Sequence, residues 1–249
     1  MSATPRTVGP VDSPRRLRPE AAAPAEGKVA FRDATRIQES ITSGLERRTL
    51  LWLAARLPLW IGSDHLTLLG FVAMFAAGLS YWLARYDRVG LWLATFFLAV
   101  NWFGDSLDGT VARVRNRQRP RYGFYVDHMI DSFGALFLMG GLALSRCVDW
   151  PIATAMLFAF LLLSIESYLA AHTLGVFRLS FARLGPTEIR LLLALGNVAL
   201  WLRPDARVPV LHWRLFDFGG VVAAVVMLIM TVVAAVWHTC ELYRQETRP

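Results

Sequence analysis

Of the chain's 249 residues 55% are hydrophobic, and a mean hydropathy of +0.41 is high for a domain that folds in water. The net charge of +7 is almost all arginine, Lys28 being the only lysine. Those arginines follow a membrane topology rather than forming one basic face, which argues against a nucleic-acid partner. Cys147 and Cys240 belong to no CxxC or Cys/His cluster and are predicted on opposite membrane faces, which excludes an intrachain disulfide and a zinc module.

Residues 1–33 are rich in Pro, Ala and charge, lack hydrophobic periodicity, and are expected to form a disordered cytoplasmic tail. No signal-peptide core precedes the first crossing, which is expected to direct insertion itself. Residues 34–62 are expected to form an amphipathic interfacial helix and linker. Ile37, Ile41, Leu45, Leu50, Leu51, Leu53 and Leu57 alternate with Glu39, Glu46, Arg47, Arg48 and Arg56, and Pro58 stops the helix. Trp52 and Trp60 suit the headgroup region, so the helix is placed on the cytoplasmic leaflet; packing on the protein's own loops is the alternative.

Residues 63–240 read as six crossings, approximately 66–86, 90–112, 123–146, 150–173, 186–202 and 217–239, followed by a cytoplasmic tail at 241–249. Ser63 is placed as the cap of the first crossing and Asp217 as that of the sixth, while Asp149-Trp150-Pro151 and Gly185-Pro186-Thr187-Glu188 open the fourth and fifth. The predicted fold class is thus an all-α integral membrane protein with six transmembrane helices behind an interfacial helix. With the N-terminus inside, Arg47, Arg48, Arg56, Arg113, Arg115, Arg117, Arg119, Arg121, Arg178, Arg183, Arg190, Arg244 and Arg248 are cytoplasmic. Only Arg85, Arg88, Arg146, Arg203, Arg207 and Arg214 fall outside, in keeping with the positive-inside rule.

The ends of the second and third crossings hold the chemistry. Asp105, Asp108, Asp127 and Asp131 lie within an almost uncharged setting, where each ionised Asp costs roughly 2.5–3.5 kcal/mol at the bilayer centre. At about 100° per residue, Asp105, Asp108, Gly109 and Ala112 share one arc of the second helix, with Asn101 on its edge. Gly123, Asp127, Asp131, Gly134 and Gly141 share an arc of the third. Turned together, the two faces make a site of hard oxygen ligands for Mg²⁺ or Mn²⁺, two of which could bridge a diphosphate. Arg113, one turn on, has the fork of donors that holds a phosphate. Among these groups Asp131 is the preferred base and His128, adjacent to Asp127 but about 100° away on the helix, is its rival.

These residues resemble the signature of the CDP-alcohol phosphotransferase (CDP-alcohol phosphatidyltransferase) family, D-x2-D-G-x2-A-R-x8/9-G-x3-D-x3-D, at every specified position from Asp105 to Asp131. The resemblance implies transfer of a phosphorus-linked group from a CDP-linked donor to an alcohol, with release of CMP. It implies two metals on Asp105, Asp108, Asp127 and Asp131, with Asp131 also the base, and Thr67, Gly109, Ala112, Arg113 and Gly123 in contact with CDP. Asp64-His65 stands where the family pattern has Pro-Asn. The resemblance further implies a homodimer in phospholipid synthesis. CDP-diacylglycerol is the first choice of donor. CDP-choline or CDP-ethanolamine with a diacylglycerol acceptor is the alternative, in line with Asp127-His128. A membrane prenyltransferase and a divalent-cation transporter or scaffold remain open; neither accounts for Gly109, Ala112, Arg113 and Gly123 together.

Three further expectations concern groups beside this stretch. Glu166, inside the fourth crossing, is either functional or paired across helices with Arg190 or Asn197. Arg115, Arg117, Arg119 and Arg121 are expected to meet anionic lipid. One of Arg178, Arg183 and Arg190 is a candidate for a substrate phosphate.

Overall fold

The apolar runs do form helices, rich in strong helix formers. The computed structural model describes residues 35–37, 43–178, 186–205, 207–208 and 212–246. Its helices are α1 (Ser43–Arg56), α2 (Ser63–Leu83), α3 (Val89–Val114), α4 (Pro120–Leu144), α5 (Trp150–Thr173), α6 (Pro186–Leu202) and α7 (Leu215–Gln245). Proline opens α4, α5 and α6, while left-handed residues follow α3 and α5. Three of the seven, α2, α5 and α7, are long and apolar enough to cross a membrane. Both α3 and α4 carry the aspartates, and α6 has only 17 residues. Of the tail expected at 241–249, residues 241–245 continue helix α7; residues 247–249, the tail expected at 1–33, Arg183 and Gly185 lie outside the described residues.

The stretch before α1 departs from the expected helix. Helix begins at Ser43, and Thr35–Ile37 forms strand β1, paired in parallel with β2 (Val176–Arg178). At Ile37 a three-residue ladder to a distant segment has overridden the helical spacing, a tertiary effect that local periodicity does not report; residues 38–42 lie outside the described residues. Helix α1 turns Leu50 and Ala54 into a cluster with Leu66 of α2 and Leu107 and Val111 of α3, and leaves Leu51 and Trp52 exposed. Its Glu46 carboxylate accepts from Trp102 Nε1 (2.9 Å) and Ser106 Oγ (3.3 Å) of α3 and from Thr187 Oγ1 (2.9 Å) of α6. One carboxylate thereby ties three helices together.

Two caps also differ from expectation. Ser63 is the first helical residue of α2, not its cap: the N-cap is Gly62, whose N–H donates to His65 Nδ1 at 3.1 Å. Asp217 lies inside the first turn of α7, and its Oδ1 instead accepts from the N–H of Asp149, the N-cap of α5, at 2.8 Å. That bond pins the starts of α5 and α7 together.

Between α3 and α4 the chain stops one helix and starts the next within five residues, 115–119. Asn116 adopts a left-handed φ of 52°, the Arg117 N–H bonds the Ala112 carbonyl and the Asn116 N–H bonds the Arg113 carbonyl. This is a Schellman closure, and Pro120 then opens α4. The Arg115 guanidinium donates to the carbonyls of Leu57 (2.9 Å), Pro58 (3.1 Å) and Ile61 (2.5 Å) in the non-helical α1–α2 linker, where the Pro58 carbonyl also accepts from the Ile61 N–H. Arg119 pairs with Asp64 in the first turn of α2.

Helix α2 is the element against which both aspartate helices pack. At its crossing with α3, a Cβ on Gly104 would stand 2.6 Å from the Leu66 carbonyl oxygen and 2.7 Å from the Gly70 nitrogen. At its crossing with α4, a Cβ on Gly141 would stand 2.1 Å from the Gly78 carbonyl oxygen. Only glycine permits backbones this close. Deeper in the bundle, Tyr81 donates to Asn197 Oδ1 (3.0 Å), and Asn197 Nδ2 donates to Thr95 Oγ1 (3.0 Å), so α2, α6 and α3 share a satisfied polar chain. Ala77, Leu98, Leu142, Ala153 and Phe216 fill the apolar core around it. Cys147 and Cys240 are both free thiols.

The glycine contacts generate a paired prediction. Gly141→Ala forces a methyl into the Gly78 backbone and is expected to destabilise by about 1–3 kcal/mol. Gly140→Ala, whose Cβ meets nothing within 4 Å, is expected to be neutral or mildly stabilising. Melting of both variants in one detergent checks the contrast; equal melting temperatures would remove the backbone contact from the account.

Candidate active site

The antiparallel α3–α4 pair places Asp108 and Asp127 at similar distances from the connecting turn, so the two aspartate arcs stand level. Because α2 holds each helix separately, α3 and α4 leave a narrow cleft between them. Its lining is Thr67, Gly70 and Phe71 from α2, Asn101, Asp105 and Asp108 from α3, and Asp127, Ile130 and Asp131 from α4. All four predicted aspartates therefore converge on one place. Asp105, Asp127 and Asp131 each offer an oxygen, and these lie within 4.8 Å of one another.

Asp108 is held a little apart, by named donors. Thr67 Oγ1 lies 2.6 Å from Asp108 Oδ2 and 3.0 Å from the Ser63 carbonyl, so its single proton is shared between them. The Gly109 N–H donates to Asp108 Oδ1. Thr67, expected beside a nucleotide, thus has the aspartate as its immediate neighbour. Its partner could not be read from sequence, since the two residues are 41 apart and on different helices.

Electrostatic relief comes from α6. Arg190 Nη2 donates to Asp105 Oδ2 at 2.6 Å, with the guanidinium 12% and the carboxylate 28% exposed. This overturns the expected pairing of Arg190 with Glu166. Glu166 is instead bonded to His238 of α7, and Asn197 belongs to the Tyr81–Thr95 chain. Three ionised carboxylates this close repel one another. Their oxygens are hard, numerous and closely set, a donor set that would suit Mg²⁺ or Mn²⁺ rather than a soft thiophilic metal.

The remaining predicted residues sit around the mouth. Arg113 folds back along its own helix, with Nη2 donating to Thr110 Oγ1 at 3.1 Å and Nη1 lying against Gly109, where a side chain would crowd it. Ala112 is half-buried on the same turn, and Gly123 is exposed in the first turn of α4 with open space at its Cβ position. His128 is buried away from the cleft. Its ring packs on Phe124 and Tyr168, at 4.1 and 4.6 Å between centroids, and its Nδ1 lies 2.5 Å from the Phe124 carbonyl oxygen. Asp64 and His65, the departures from the family pattern, serve the local fold through Arg119 and Gly62.

Sequence reasoning did not find Gly70, Phe71 and Ile130 as lining residues, nor Glu46 as the group bonded to Ser106, the neighbour of Asp105. Glycine and apolar residues carry no chemical signal, and Glu46 reads as one more charge on an amphipathic helix. Arg190 is one of the three phosphate candidates read from sequence, but its carboxylate partner, 85 residues away on another helix, is not legible there.

The sequence is similar to those of known proteins. Residues 60–237 match the sequence model of the CDP-alcohol phosphatidyltransferase family. Archaetidylinositol phosphate synthase of Pyrococcus horikoshii is 28% identical over 141 residues, covering 56% of this chain and 65% of that protein. Cholinephosphotransferase 1 of Homo sapiens is 26% identical over 183 residues, covering 66% of this chain and 43% of that protein. The chain thus spans less than two thirds of either relative. With the match running through the aspartate cleft and across most of the helices, the chain belongs to the CDP-alcohol phosphatidyltransferase family.

Proposed function

We propose that the protein transfers a phosphatidyl or other substituted phosphate group from a CDP-linked donor to an alcohol, releasing CMP, as a step of phospholipid synthesis. The observation that carries this reading is the convergence of Asp105, Asp108, Asp127 and Asp131 on one cleft within a matched family sequence. In this reading Asp105, Asp108, Asp127 and Asp131 hold two divalent cations, which when bound neutralise the diphosphate and the charge that develops on the departing CMP. Thr67, Gly109, Ala112, Arg113 and Gly123 form the nucleotide side. The end of α3 and the start of α4 carry the last four of these, which supports a nucleotide lying over the 115–119 turn.

Asp131 accepts the proton of the acceptor hydroxyl. The freed oxygen forms a bond to the donor phosphorus, the anhydride P–O bond to CMP breaks, and CMP leaves with that electron pair. His128 is the poorer base: it stands outside the lining, with its ring between Phe124 and Tyr168. Arg190 holds Asp105 and would compete with a cation for it.

CDP-diacylglycerol is the donor we favour, with a small alcohol acceptor. A second reading, CDP-choline or CDP-ethanolamine with diacylglycerol, is favoured by the similarity to cholinephosphotransferase 1 and by the Asp127-His128 pair. Helices α2 to α7 make six crossings, with the N-terminus, α1 and the cleft on the cytoplasmic side and the chain in a homodimer. The arginine distribution and the three strongly apolar helices support this placement. Family membership gives no support to prenyl transfer or cation transport.

Purified protein with Mg²⁺ or Mn²⁺ is expected to release CMP from one member of a panel of CDP donors and alcohols, and to stop on chelation. Asp131→Asn should slow turnover about 10²–10⁴-fold, the range for loss of a general base. Full activity in Asp108→Ala or Asp131→Ala would sink the mechanism, and uptake of Mn²⁺ into liposomes without nucleotide would favour transport instead. Arg190→Gln should tighten cation binding severalfold in calorimetry, because Asp105 loses its competing partner; weaker binding would show that Arg190 supports the metal site.

A further inference from the structure

Asn101 stands one turn before Asp105 on the same face of α3, lines the cleft, and is 95% buried, its relative exposure being 5%. Its carboxamide is oriented by one bond, Nδ2 donating to the Gly70 carbonyl of α2 at 2.9 Å. That orientation commits the other end: Asn101 Oδ1 is the buried side-chain polar atom without a hydrogen-bond partner among the described residues. A tie between α2 and α3 needs only a donor, and leaving a second, acceptor atom buried and unmatched is unfavourable. The oxygen therefore calls for a donor that the protein does not supply.

The cleft itself can be searched for one. Its other lining residues are Thr67, Gly70, Phe71, Asp105, Asp108, Asp127, Ile130 and Asp131. Ionised carboxylates accept and do not donate, and the apolar members and glycine have no side-chain donor. Thr67 has one hydroxyl proton, already shared by Asp108 and the Ser63 carbonyl. The missing donor must come from a molecule bound in the cleft, a water or a ligand. A cation of the Mg²⁺ type keeps several of its waters when carboxylates bind it, and a metal-bound water is polarised into a strong donor.

We infer that Asn101 is a positioning residue for the cation site: its Oδ1 accepts a hydrogen bond from a water in the coordination shell of a divalent cation held by the neighbouring aspartates. The inference rests on the metal-dependent reading above and adds a neutral oxygen from the membrane-interior side of the cleft. It also gives the Gly70–Asn101 contact a purpose beyond helix packing, since Gly70 aims the carboxamide. Outer-shell groups of this kind set ligand orientation and metal affinity.

The test uses the metal alone, with no nucleotide or alcohol. The chain has three asparagines, Asn101, Asn116 and Asn197, so selective ¹³Cγ labelling yields three resonances. On saturation with Mg²⁺ the Asn101 resonance is expected to move while the others stay, and Asn101→Leu should weaken Mn²⁺ binding about 10–100-fold by electron paramagnetic resonance. An Asn101 resonance that moves only when an alcohol is added would assign Oδ1 to the acceptor and overturn the inference. Mn²⁺ affinity within twofold of wild type in folded Asn101→Leu would overturn it as well. If that variant does not fold, the resonance in the wild-type protein decides. Failure of the wild-type chain to bind Mn²⁺ at all would overturn the metal reading beneath it, a distinguishable result.

Discussion

The site depends on backbone contact at two glycine crossings of α2. At Gly70–Gly104 and Gly78–Gly141 the helices approach until a single methyl would collide with a carbonyl or amide of the neighbour. Helix α2 is thereby fixed to α3 and to α4 independently, and the aspartate arcs of those helices face each other across a gap instead of packing shut. Apolar side chains alone would have closed that gap. The cleft is the space left when two helices are anchored to a third rather than to each other.

Gathering four carboxylates there has an electrostatic cost, and the surrounding elements show how it is offset. Thr67 and the Gly109 N–H stabilise Asp108, and Arg190 stabilises Asp105 from α6. Glu46 anchors Trp102 and Ser106 from α1 while also bonding Thr187 near the start of α6, so α3 and the arginine-bearing helix are set by a common group. Arg115, drawn to the α1–α2 linker carbonyls, fixes where α1 sits. Helix α1 is in this sense part of the scaffold of the site. The closely set oxygens of Asp105, Asp127 and Asp131 are the reason a divalent cation would fit.

The helices were legible because apolar length and proline placement are local properties, and the aspartate arcs because helical periodicity alone decides which residues share a face. Pairings were not. Arg190 chose Asp105 over Glu166, Glu166 chose His238, and Asp217 bonded the start of α5 instead of capping its own helix. Each depends on which helix becomes the neighbour, and the residues involved are 68 to 85 apart in sequence. The β1 strand was hidden for the same reason. Gly70 and Gly104 were silent in the sequence because a glycine in an apolar run carries no sign of the backbone it will touch.

The claim that the α2-anchored cleft is a divalent-cation site for a CDP-linked donor is most directly tested by anomalous diffraction from crystals grown with Mn²⁺ and a CDP-alcohol. The account predicts manganese density between Asp105, Asp108, Asp127 and Asp131, with the diphosphate beside it and Arg190 displaced from Asp105. Manganese bound elsewhere, or an intact Arg190–Asp105 pair in a nucleotide-bound protein whose cleft holds no metal, would contradict it.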